Sequence, residues 1–165
     1  MALSLAEFNR MVTDHGPTLY RMAYRMIGDG HEAEDMVQEA FRSAWRSRES
    51  FRTGGGGRAW LASILRRRVA DHWRRPKPPT VFVGPVEVGA DEQDVFRDEL
   101  SDEMQRALQQ LPHELKETLL LVVVTELTHQ ETAELLGVPL GTVLSRVSRA
   151  RKRLRQYLMA ESGSK

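Results

Sequence analysis

The chain contains no cysteine, which excludes disulfides, thiolate nucleophiles and cysteine-held metals. No apolar run approaches the roughly eighteen residues that a membrane-spanning helix needs. The opening MALSLAEFNRM has no basic region leading into an apolar one, so it does not read as a secretory signal. The histidines at 15, 31, 72, 113 and 129 lie far apart, with no second ligand type at metal spacing. Glycines 54–57 are not followed by the lysine or the strand–helix context of a phosphate-binding loop. No serine stands with a histidine and a carboxylate in a catalytic pattern. These absences predict a cytoplasmic protein that inserts in no membrane and is not an enzyme, with no catalytic residue, no metal and no cofactor.

What is present is an uneven distribution of charge. The formal net charge is only +1, yet residues 1–75 carry 13 basic and 9 acidic side chains, residues 76–111 carry 3 and 8, and residues 112–165 carry 8 and 6. Two basic lobes are therefore separated by an acidic connection.

The stretch THQETAELLGVPLGTVLSRVSRARKRLR, from Thr128 to Arg155, predicts two helices joined by a tight turn. Thr128 and Glu131 have capping-box spacing. Ala133 is small where two helices cross, Gly137 can take positive φ to end the first helix, and Pro139 keeps that helix from continuing. Thr142 is the expected cap of the second helix, whose apolar residues Val143, Val147, Ala150 and Leu154 repeat at three to four. That spacing is the spacing of a helix-turn-helix. Arg146, Arg149, Arg151, Lys152, Arg153 and Arg155 fall within ten residues with no acid among them. Dipole complementation at a helix end accounts for Arg153 and Arg155. It does not account for Arg146, and the cluster as a whole points to DNA phosphate.

Toward the N-terminus, Ser4 and Glu7 predict a capping box and a short helix that Gly16 and Pro17 break. A second helix then carries Leu19, Tyr20, Ala23, Tyr24 and Ile27, and Gly28-Asp29-Gly30 ends it, Asp29 capping the next. In HEAEDMVQEAFRSAWR, Ala33, Met36, Val37, Ala40, Phe41, Ala44 and Trp45 form a regular apolar stripe. Its opposite side shows Glu32, Asp35, Gln38, Glu39 and Arg42, by itself an ordinary wet face. After the glycines a helix is expected from about Arg58 to Arg75, burying Trp60, Leu61, Ile64, Leu65, Val69 and Trp73. Residues 58–77 hold seven cations, among them Arg66, Arg67, Arg68 and Arg74, against the single acid Asp71. Aromatics among cations suit a strand-separated nucleic acid. The periodicity assigns Trp60 and Trp73 to the core, whereas Phe51 stands in a glycine-rich loop.

Four of the seven prolines lie between residues 76 and 94, marking a linker that includes Val81-Phe82-Val83 as a short extended segment. A helix with Phe96, Leu100, Met104, Leu108 and Leu111 follows, and Pro112 starts another. Leu119 to Val124 is β-branched enough for a strand, but a lone strand has no partner, so it is assigned to helix.

These motifs, in this order, resemble a bacterial RNA polymerase sigma factor of the extracytoplasmic-function (group IV) type. LYRMAYRMIGD at 19–29, HEAEDMVQEAFRSAW at 31–45 and RAWLASILRRRVADHWRR at 58–75 look like sigma region 2, and residues 111–155 look like region 4. The resemblance implies an all-α chain of two small helical domains, 1–75 and 95–160, joined by a flexible linker at 76–94. It implies that Asp35, Gln38 and Glu39 dock on the clamp helices of the polymerase β′ subunit. It assigns Phe51, Arg66, Arg67, Arg68 and Arg74 to a melted −10 element. Thr142, Ser145, Arg146, Ser148, Arg149 and Lys152 fall to the −35 element. The expected partners are core RNA polymerase, including its β flap, promoter DNA and an anti-sigma factor, with the free chain a monomer. The sequence departs from the family pattern at glycines 54–57, at Arg67 where many members have asparagine, and at Leu144 where many are basic. Two rivals remain: a helix-turn-helix regulator that binds duplex DNA as a dimer, and a degenerate sigma that acts only as a protein-interaction module.

Overall fold

The computed structural model describes residues 3–52, 56–74 and 102–163. Among them every regular element is helical: α1 (Leu5–Ile27), α2 (Gly30–Arg46), a 3-10 turn (Arg48–Ser50), α3 (Gly57–Arg74), α4 (Asp102–Gln110), α5 (His113–Val123), α6 (His129–Leu136) and α7 (Leu140–Ser162). The linker expected over 76–94, its segment at Val81–Val83, the helical positions Phe96 and Leu100, and the cations Arg75 and Lys77 lie outside the described residues. So do Thr53, Gly54 and Gly55.

Helices α1, α2 and α3 pack on one another, and α5 and α7 pack together with α4 and α6 alongside. The first bundle buries Phe8, Leu19, Met22, Ala23 and Met26 of α1 against Ala33, Val37, Ala40 and Ala44 of α2 and Leu61, Ile64, Leu65 and Val69 of α3. The second buries Leu108, Leu115, Leu119, Leu120 and Leu121 against Val143, Val147, Ala150 and Leu154. The β-branched run is helix, as its neighbours predict: Leu119, Leu120 and Leu121 lie in α5 and are buried.

The caps follow the expected chemistry at most ends. The Ser4 hydroxyl accepts from Glu7 N at 3.2 Å, and Ser4 N donates back to the Glu7 carboxylate at 2.8 Å. Thr128 and Glu131 repeat that reciprocity at 3.0 Å each way. The Asp29 carboxylate accepts from His31 N and Glu32 N, satisfying two of the orphan donors that every helix start exposes. Gly28 and Gly137 close α1 and α6 at φ +82° and +67°, which non-glycine residues adopt at a cost.

Three expectations fail. Gly16 and Pro17 do not divide the N-terminal segment: α1 runs unbroken for 23 residues with Pro17 inside it. An interior proline costs about 3 kcal/mol, but apolar burial lies on both sides of the break. Phe8 sits 5.1 Å from the Trp45 ring before it, and Leu19, Met22, Ala23 and Met26 are buried after it. Thr142 does not cap α7. Pro139 holds the cap position at φ −62° without a side-chain bond, and Thr142 is the third helical residue. Trp73 is 42% exposed rather than core, because the buried stretch of α3 ends at Val69 and Trp73 lies one turn beyond it.

Candidate nucleic-acid interface

Helix α7 has two unlike faces. Val143, Val147, Ala150 and Leu154 anchor it inward, and this fixes which residues point out. Ser148, Arg149, Arg151, Lys152, Arg153 and Arg155 are all exposed. Thr142 and Ser145 are half-buried at the edge of that face. Arg146 departs from the expected set, because its side chain is only 19% exposed and turns toward Glu114 at 3.8 Å. Five adjacent cations with no acid repel one another until an anionic surface compensates them.

The second cluster is built on α3 and the loop before it. Phe51 and Trp60 stand 4.9 Å apart, both half-buried against the core. With Ser50, Arg52, Ala59 and Ser63 they form one wall of a cleft of about 320 Å³. Phe51, which the sequence leaves stranded in a loop, is therefore packed. Arg67 and Arg74 are exposed. Arg68 pairs with Asp71 at 3.8 Å, and Arg66 is held by Glu117 of α5.

The third cluster lies on α2. Asp35 and Gln38 are exposed, and with Met36, Glu39, Arg42, Arg68, Asp71 and His72 they line a groove of about 460 Å³ between α2 and α3. Glu39 is held by Arg42 at 3.3 Å and Arg46 at 3.1 Å. The bond from Arg42 is the main reason its carboxyl lies below the usual carboxylate range.

The structure also joins the two bundles. Glu117, whose side chain is 5% exposed, pairs with Arg66 of α3. Lys116 is buried and donates to the Met26 carbonyl at 3.1 Å, standing 5.7 Å from the centre of the Trp73 ring. Burial pushes its ammonium below the usual lysine range. Arg25 donates to Gln105 Oε1 at 2.8 Å, and the Arg25 carbonyl accepts from Gln105 and Gln109 at 3.4 and 3.3 Å. Arg58 donates to the Thr125 carbonyl at 3.3 Å and lies 3.7 Å from Glu126. Glu131, Glu134 and Leu135 of α6 form the far wall of the Phe51–Trp60 cleft. Acidic side chains of the second bundle thus face cations and aromatics of the first. Sequence reasoning missed this seam. Its one available signal was a charged pair, Lys116-Glu117, separated from the apolar run at 119–124 by Thr118 alone.

Two helical bundles, one ending in a helix-turn-helix with a cationic outer face, define a two-part DNA-binding protein. The Sigma-70 region 2 family matches residues 11–77 and the Sigma-70, region 4 family matches residues 101–154. The ECF RNA polymerase sigma factor SigE of Mycolicibacterium smegmatis is 33% identical over 166 residues, covering 96% of this chain and 64% of that protein. The ECF RNA polymerase sigma factor SigW of Bacillus subtilis is 32% identical over 165 residues, covering 92% and 88%. The sigma factor RpoE, solved in complex with the anti-sigma factor NepR from Bartonella quintana, superposes with a TM-score of 0.76 at 27% identity, covering 94% of this chain and 98% of that one. The chain belongs to the extracytoplasmic-function RNA polymerase sigma factors. Its class directs RNA polymerase to promoters and initiates transcription there. Among the described residues no helix is long and apolar enough to cross a membrane.

Proposed function

We propose that the labour of promoter-directed initiation divides among three surfaces of this chain. The α2 groove with Asp35, Gln38 and Glu39 docks on the β′ clamp helices of core polymerase. The Phe51–Trp60 wall, with Arg66, Arg67, Arg68 and Arg74 along α3, takes the opened −10 strand: rings offset lost base stacking while guanidinium groups hold phosphate. The outer face of α7, with Ser145, Ser148, Arg149 and Lys152, enters the major groove of the −35 element. There arginine pairs with guanine edges, and the remaining cations fix register on the backbone. Thr142, half-buried at the edge of that face, stands beside them at the −35 element. No bond is made or broken by the protein in this scheme. It acts in the cytoplasm as a polymerase subunit, restrained by an anti-sigma factor.

The observation that carries this reading is the acid-free cationic face of α7 on a chain whose other bundle bears a separate acidic face and a separate aromatic–cationic wall. A dimeric duplex-binding regulator has no use for the last two. The same geometry requires a rearrangement, because Arg66 and the Phe51–Trp60 cleft are engaged by α5 and α6. The −10 strand reaches them only after the seam has parted.

The test is size-exclusion co-elution of the purified chain with bacterial core RNA polymerase, followed by promoter footprinting. Stoichiometric co-elution that Asp35→Ala with Gln38→Ala abolishes, with protection at both promoter elements, supports the division. A dimer that ignores polymerase yet shifts duplex DNA overturns it.

A further inference from the structure

Leu140 and Leu144 stand one turn apart on the outer side of α7, 41% and 48% exposed. Neither is needed to hold the helix, whose inward packing uses Val143, Val147, Ala150 and Leu154. The outward positions beside them in the first turns are Gly141, Ser145 and Ser148, and a Cβ added at Gly141 would meet nothing within 4 Å. Arg146, the one cation in these turns, leans back toward Glu114. The exposed cations begin at Arg149 and continue through Arg155. The outer face is therefore neutral and apolar where it begins and cationic where it continues.

A helix-turn-helix brings the N-terminal residues of its second helix to base edges. The apolar group that a major groove offers there is the C5-methyl of thymine. We propose that Leu144, with Leu140 beside it, is a specificity-determining residue that reads thymine methyl groups in the −35 element. The acid-free run of cations immediately following selects a nucleic acid over a protein as the occupant of this apolar pair. The proposal rests on the assignment of α7 to the −35 element.

The experiment uses holoenzyme assembled from the full chain and core polymerase. Promoter duplexes randomised across the −35 element are selected by binding, and the winners are remade with deoxyuridine replacing thymidine one position at a time. Only the methyl is removed. Binding is expected to fall about fourfold for each methyl that meets a leucine. Leu144→Ala holoenzyme is expected to bind the two duplexes nearly equally at that position, and the variant to co-elute with core polymerase as the wild type does. Cytosine placed there weakens binding, and 5-methylcytosine recovers part of it for the wild type alone. Selected sites without thymine, indifference of the wild type to every deoxyuridine, or an undiminished thymine preference in Leu144→Ala would each overturn the proposal. So would loss of polymerase binding in Leu144→Ala, which would make the leucine a protein contact. Failure to enrich any −35 sequence is a different result: it removes the assignment of α7, and the thymine reading with it.

Discussion

Replacing Arg66 by alanine strips the buried Glu117 carboxylate of its guanidinium partner. Breaking a fully buried pair from one side costs about 3–5 kcal/mol. Arg66 is itself 37% exposed, so solvent already shares the charge and about 1–3 kcal/mol is the apt range. That cost exists only while the bundles are together, because separation returns Glu117 to water. The equilibrium should therefore shift toward the parted state by about fivefold to a hundredfold, at a factor of ten per roughly 1.4 kcal/mol. His113 Nε2 lies 3.8 Å from the other Glu117 oxygen, so Arg66→Ala with His113→Gln is the stronger perturbation. The absence of cysteine makes the assay direct: Glu34→Cys on α2 and Met159→Cys on α7, both exposed, give one labelled site per bundle. Energy transfer between the dyes should fall in Arg66→Ala, and fall further in the double variant. Circular dichroism should show both bundles still helical. Equal transfer in wild type and both variants, with helicity intact, would refute the claim that this pair holds the seam.

Lys116 should make closure pH-dependent. Its pKa is lowered in the closed form by burial and returns toward the ordinary value near 10.5 when the bundles part. The closed form thus binds fewer protons within that window, so closure strengthens as pH rises through it and weakens as pH falls. The same dye pair, read between pH 7 and 10, should show this slope, and Lys116→Met should flatten it. Removing Arg149 and Lys152 together should weaken −35 binding and lower the slope of log affinity against log salt by about 2, read by titration at several salt concentrations. Arg146→Ala should change that slope less, because Arg146 is turned toward Glu114. Gly137→Ala places a Cβ at φ +67° and should lower the stability of the helix-turn-helix by about 1–2 kcal/mol, seen as an earlier thermal transition.

The parts of this fold that the sequence disclosed are those fixed by local chemistry. Ser4 with Glu7 and Thr128 with Glu131 declare their capping boxes at a spacing of three, and Gly28 and Gly137 mark their turns because positive φ suits little else. The inward stripes of α2 and α7 follow from period alone, and the period also told which side of α7 carries its cations. Pro17 misled because a local breaker was weighed without the burial on both sides that outweighs it. Thr142 misled because a good capping residue stood three positions from a proline that took the role. Trp73 misled because period says which face a residue is on, not where along the helix the buried stretch ends. The seam was illegible for another reason. Arg66 meets Glu117 across 51 residues, and no local pattern encodes which side chains of two separate bundles will be brought together. Among the candidate site residues, the exposed ones on α2 and α7 were readable, whereas the engagement of Arg66 and the inward turn of Arg146 depend on tertiary partners.

The last turn of α1 shows what that arrangement does to the helix itself. The carbonyls of a final helical turn have no partners within the helix and ordinarily turn to water. Here the Arg25 carbonyl is met by Gln105 and Gln109, and the Met26 carbonyl by Lys116. The longest helix of one bundle is thus finished by side chains of the other. When the bundles part, those carbonyls lose their donors and only Gly28 remains to hold the end. The end of α1 should then fray, exchanging its amide hydrogens faster while the middle of the helix stays protected. The protein carries a native gauge of its own opening, readable by hydrogen exchange without any label.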